Sequence, residues 1–195
     1  MKTAKYLLIM AVPLVMMSCN NQRANRQDNK NLADKAVVVE NAKVDANKDN
    51  EPQSVENFVQ EAAYGGMMEV ELGRYAQQNA SSPRVKNFGA MMVRDHSKAN
   101  DELKSIAAGK SMTVPATLDD KHQNNMNDVM KKKGADFDKD YMKMMVDDHN
   151  KDVDEFRKQS ENGKDPEIKA FAAKTLQVLV VHQDSAKRIN DALNK

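Results

Sequence analysis

Tryptophan is absent from this 195-residue chain, aromatic residues of any kind are few, and cysteine occurs once, at Cys19. A single cysteine excludes an internal disulfide framework. Charge of one sign is also missing. Thirty Lys and Arg stand against 29 Asp and Glu, so there is no basic stripe to hold nucleic acid and no acidic tail. Alternating Val, Thr and Tyr is scarce, which argues against sheet, whereas methionine is abundant and suits helix packing, so the chain reads as all-α. Three familiar chemistries lack their motifs. No Gly-rich phosphate loop follows a strand, no His-Glu-x-x-His is present, and no serine elbow occurs.

The only long apolar run is Tyr6 to Met17, too short for an ordinary membrane span. Lys2 and Lys5 precede it, and it ends at Met16-Met17-Ser18-Cys19. Residues 1–19 therefore read as a lipoprotein-type signal peptide in which Cys19 is the lipidated residue. An ordinary secretory signal with an incidental cysteine is the alternative. Residues 20–53 are rich in Asn, Lys, Asp and Gln, with Ala36-Val37-Val38-Val39 as an isolated apolar patch, and read as a flexible polar tether. The expected setting is the cell envelope, with the membrane as a partner through a lipid anchor, facing the periplasm.

Residues 54–195 read as a four-helix bundle. A first helix fits Ser54 to about Asn79, with Ser54 as cap and Phe58, Ala62, Gly65, Glu69, Leu72 and Ala76 inward. Ser81-Ser82-Pro83 restarts a second, with Val85, Phe88, Met92, His96, Ala99, Leu103 and Ile106 in line, ending at Gly109. A short helix fits Leu118 to Lys132 in the long connection. A third long helix runs from about Asp136 to Ser160 with Phe137, Tyr141, Met145, His149, Val153 and Phe156 inward. Pro166 opens a fourth, reaching about Leu193, that turns Ile168, Ala172, Thr175, Leu179, His182, Ala186 and Ile189 inward.

One block occurs twice. Phe88 to Lys98 returns as Tyr141 to Lys151, aligning the aromatic, the Met-Met-Val triplet, the Asp-His pair and the lysine. Each inward row is interrupted at mid-helix by one polar group: Glu69, His96, His149 and His182. A buried carboxylate and three imidazoles need partners. A transition metal, iron, manganese, zinc or copper, is one way to supply them, and bundle cores place such ligands on facing helices. Asp95 and Asp148 project about 100° aside, toward neighbouring helices, and with Tyr141 are candidates to support the ligands rather than to be ligands. Met92 and Met145 stand one turn before the repeat histidines, a soft set that would favour copper(I), but Met at helical spacing is ordinarily core filling. His122 lies among Asp119, Asp120, Lys121 and Gln123 and reads as a solvated surface residue. Gly65-Gly66 reads as close packing or a local kink.

The residues Glu69-x-Glu71-x-Gly73-Arg74-x-Ala76, Val85-Lys86-x-Phe88, Met92-Val93-x-Asp95-His96, Gly134-Ala135-x-Phe137-Asp138-x-x-Tyr141, Val146-x-Asp148-His149 and His182 resemble the domain of unknown function 4142 family, from about Val55 to Ala192. The resemblance implies a ferritin-like helical bundle, often on exported or lipid-anchored bacterial proteins, with no settled activity. Di-iron bundles place Glu three residues before the ligand histidine. Here Val93, Val146 and Leu179 occupy those positions, so ferroxidase activity does not follow from the fold. Three functions remain in view: a non-catalytic envelope protein with a mid-bundle Glu/His metal site, a structural or partner-binding lipoprotein with a metal-free polar core, and a metal-dependent oxidoreductase. The first is favoured.

Overall fold

The computed structural model describes residues 52–195; the expected signal segment, Cys19 and the tether as far as residue 51 lie outside the described residues. Five helices follow in order: α1 Val55–Asn79, α2 Pro83–Gly109, α3 Asp120–Met130, α4 Gly134–Asn162 and α5 Pro166–Leu193. Four are long, and the short α3 lies in the connection between α2 and α4, as the sequence pattern predicts. Among the described residues no helix is long and apolar enough to cross a membrane.

Local chemistry sets the ends. The Ser54 hydroxyl accepts from the Asn57 amide and starts α1, and Asp165 accepts from Glu167 and Ile168 to start α5 behind Pro166. Both supply acceptors to amides that the first helical turn leaves unpaired. At α2 the expected cap, Ser82, makes no side-chain cap bond. A carboxylate from another helix does the work. Asp138 of α4 accepts from the Ser81 and Ser82 amides at 3.0 and 2.7 Å, placing a negative charge at the positive end of α2. Gly134 opens α4 two residues earlier than the pattern suggests, with φ +59, a left-handed conformation that glycine adopts without strain.

These contacts also fix direction. Gly134 bridges to Ala80, and Asp138 sits on the α1–α2 turn, so α4 starts where α2 starts. The two helices run the same way, and α1 and α5 run against them. The segment carrying α3 is therefore a long crossover, as in one class of four-helix bundle. α1 packs chiefly on α2 and α4 on α5, and the hairpins meet along α2–α5 and α1–α4, leaving α2 and α4 diagonal. Gly73 and Gly89 let α1 and α2 touch: a Cβ on either would lie 2.7 Å from the other's carbonyl oxygen.

The apolar interior falls into two parts. One holds Leu72, Phe88, Met92, Tyr141 and Met145; the other holds Phe58, Leu103, Val153, Phe171 and Leu179. Met92 and Met145 are thus core residues with no exposed surface. Ala62, Gly65, Ala99, Ile106 and Ile189, expected inward, are only partly buried. Gly66, not Gly65, is the packing glycine, because the Asn100 side chain lies where its Cβ would be.

His122 departs from expectation. It is buried, stacked on Tyr64 at 5.3 Å, with Nδ1 2.6 Å from Asp119 Oδ1. Asp120 and Lys121 beside it face water while its own position, with Met126 and Val129, turns toward the bundle. A short helix lying on α1 has an inner face, and local polarity concealed it.

Candidate functional site

Between the two apolar clusters lies a polar layer. Glu69 from α1, His96 from α2, His149 from α4 and His182 from α5 all come together there, each nearly or wholly inaccessible to water. Helix geometry explains how. Glu69 lies ten residues before the end of α1, and His96 thirteen after the start of α2. His149 lies thirteen before the end of α4, and His182 sixteen after the start of α5. Each hairpin thus has the same three-residue stagger, ~4.5 Å along the axis. Side chains lean toward the N-terminus of their helix, which moves the later member toward the turn and the earlier one away from it. The lean closes the stagger in both hairpins.

The contacts run as a chain. His96 Nδ1 is 2.7 Å from Glu69 Oε2, and Glu69 Oε1 is 3.5 Å from His149 Nδ1. His149 Nδ1 lies 2.9 Å from the Met145 carbonyl, its Nε2 is 3.4 Å from His182 Nδ1, and His182 Nε2 is 3.0 Å from Asp95 Oδ2. Asp95 is gripped on its outer side by Arg94 through two bonds of 2.8 and 2.7 Å. One ring nitrogen from each of His96, His149 and His182 lies within 4.8 Å of the other two. Glu69 is not one of this trio; its two oxygens approach His96 Nδ1 and His149 Nδ1.

The electrostatics follow from burial. Burial pushes the His149 imidazole down to about 4, outweighing the attraction of Glu69. His182 is lowered for the same first reason, against its bond to Asp95. Both rings are therefore neutral at pH 7. Burial works hardest against the Glu69 charge, but His96, His149 and His182 together hold its carboxyl below the usual range. The bond from Arg94 is foremost in lowering Asp95.

Asp148 has a different fate from Asp95. Burial, then the charge of Glu69, pushes its carboxyl up to about 7, and its Oδ2 is buried without a hydrogen-bond partner. One turn on, Asp152 is raised well above its ordinary value, again by burial first and then by Glu69 and Asp148. The Tyr141 hydroxyl is buried and unpartnered too, and burial raises it. The structure gives Tyr141 no hydrogen bond to any histidine; its ring packs against Phe88 and Phe137. Cys19 lies outside the described residues.

Three contributors escaped the sequence reading. The Met145 carbonyl could have been foreseen, since His149 stands one turn after it on the same face. Asp152 carries a weaker signal, one turn beyond Asp148. Asp138 stands in the Gly134-to-Tyr141 block, but nothing local shows its role, because its partners are backbone amides of a distant turn.

In composition the layer offers three imidazoles with restrained rings and no thiolate, a donor set suited to zinc, copper, iron or nickel. Neither curated proteins nor solved structures yield a match to this chain. Residues 39–189 match the family described as Domain of unknown function (DUF4142), and with that span covering most of its length the chain belongs to that family.

Proposed function

We propose that this chain is an exported, lipid-anchored helical-bundle protein whose His96, His149 and His182 hold one transition-metal ion, zinc or copper(II), with Glu69, Asp95 and the Met145 carbonyl orienting the rings. The observation that carries this reading is the 3.4 Å separation of His149 Nε2 from His182 Nδ1. A carbonyl only accepts, so His149 Nδ1 bears the proton that it donates to Met145. Asp95 likewise takes the proton of His182 Nε2. In two neutral rings the facing nitrogens are then both acceptors, a repulsive pair unless a cation lies between them. Two imidazole nitrogens on one tetrahedral ion stand about 3.3 Å apart. Anchoring the outer nitrogen of each ring on a carboxylate or carbonyl is also how protein metal sites fix their histidines.

Glu69, which its place in the row made a candidate ligand, is assigned the orienting role because its Oε2 engages His96 Nδ1. Export and anchoring rest on Lys2, Lys5, the apolar run and Cys19. A second reading, a metal-free polar core that fixes helix register, is favoured by the 2.7 Å contact that pairs Glu69 Oε2 with His96 Nδ1 without an ion.

Metal analysis separates the two. Protein purified without chelator or histidine tag is expected to hold one metal per chain, lost in His96→Ala and His149→Ala. A wild type that stays empty under replete zinc and copper sinks the metal reading. Cys19→Ala is expected to move the protein from the membrane fraction to the soluble one.

A further inference from the structure

His149 and His182 are essentially inaccessible and His96 is 6% exposed, so an ion reaches them only by passing between helices. A cavity of about 30 Å³ lies among α1, α2, α4 and α5, with a polar wall of Glu61, Glu69, His96, Asn100, Asp152 and Thr175. That volume suits one or two waters. Glu61 is also part of a surface groove of about 320 Å³ whose other walls are Gln53, Asn57, Gln60, Lys151 and Glu155, without an apolar side chain. Lys151 Nζ stands 3.6 Å from Glu61 and 3.7 Å from Glu155. At the inner end, Glu69 Oε1 is buried with no hydrogen-bond partner.

We propose that Glu61, Asp152 and Glu69 form an uptake route for a divalent cation from this groove to the histidines, with Lys151 as the cation it must displace. The proposal rests on the reading that the histidines bind metal. A divalent ion leaving bulk water needs oxygen donors at each step; the carboxyl groups along this narrow passage supply them, the arriving ion replacing the proton that burial favours on Asp152. Asp152 supplies the middle step, on the α4 side of the cavity. Gly65 keeps the passage clear, since a Cβ there would meet no atom within 4 Å.

The test is cobalt(II) uptake by the metal-free full chain, followed by stopped-flow absorbance. Asp152→Asn and Glu61→Gln are expected to slow uptake roughly tenfold each, and Asp152→Glu to restore it. Gly65→Leu, which narrows the cavity without changing charge, is expected to slow uptake, and Lys151→Ala to speed it. Release slows in step with uptake for Gly65→Leu, so cobalt bound per chain and the Kd stay at wild-type values, which loss of a ligand would not allow. Wild-type rates in Asp152→Asn, Glu61→Gln and Gly65→Leu, with full cobalt uptake, overturn the route alone. Failure of the wild type to take up cobalt overturns the metal reading together with the route.

Discussion

Neutralising Asp148 should stabilise the metal-free protein, chiefly at high pH. Its carboxyl is pushed from 3.8 to about 7 by burial and by Glu69. An acid whose folded pKa is raised binds more protons in the native state across that window, so stability falls as pH rises from about 4 to 7 and then levels off. A shift of about three units corresponds to about 4 kcal/mol. Asp148 is partly exposed, which brings the expected loss to between about 2 and 4 kcal/mol. Asn carries no charge and escapes the penalty. Asp148→Asn is therefore expected to exceed wild type by no more than about 1 kcal/mol at pH 4.5 and by about 2 kcal/mol or more at pH 8. Urea unfolding in chelator-containing buffer is the assay, because urea does not screen charge. His149 has the opposite dependence: its pKa falls to about 4, so its contribution is present above about 6.5 and is lost as pH falls from there. It titrates in both proteins and cancels in the difference. Equal differences at the two pH values, or a destabilised variant at pH 8, would refute the reasoning.

Two other substitutions test the packing around the site. Tyr141→Phe removes a buried hydroxyl that has no hydrogen-bond partner while keeping the ring against Phe88 and Phe137. It should leave stability unchanged or raise it by about 1 kcal/mol in urea unfolding, and a clear loss would reveal a partner for the hydroxyl. Asp138→Ala withdraws the acceptor of two amides at the start of α2. A loss of about 2 kcal/mol is expected, with faster hydrogen exchange at Ser81 and Ser82; unchanged exchange there would deny Asp138 its capping role.

The fold was legible because helices report themselves locally. Pro83, Gly109, Pro166 and Leu193 mark ends that hold in the structure, and the inward rows follow a 3.6-residue period that one strand of sequence suffices to display. The four polar interruptions of those rows were legible for the same reason. What stayed hidden depends on chain segments far apart. His122 looked solvated because its neighbours are polar, although α3 lies on α1 and buries one face. The capping of α2 by Asp138 spans 56 residues. The ring tautomers, and with them the case for a cation, needed the positions of Asp95 and Met145 relative to the rings.

The repeated block gains a structural meaning from helix direction. Since α2 and α4 are diagonal and run the same way, equivalent residues of the two copies face each other. Phe88 and Tyr141 have ring centroids 6.1 Å apart, and His96 and His149 5.7 Å. A local twofold relation that exchanges α2 with α4 also exchanges α5 with α1, and hence His182 with Glu69. Asp95 meets an imidazole, which donates to it at 3.0 Å. Asp148, its counterpart, meets the field of a carboxylate, and burial first and then that charge drive its own carboxyl upward. Identical Asp-His pairs thus acquire opposite electrostatics from their surroundings: Arg94 and His182 hold Asp95 down, whereas burial, Glu69 and Asp147 push Asp148 up. The gain predicted for Asp148→Asn should accordingly be absent from Asp95→Asn, which weakens a charge-assisted bond in place of relieving a repulsion. If both variants gain stability at pH 8, burial alone governs the two carboxyls and the asymmetry assigned to their charged neighbours is wrong.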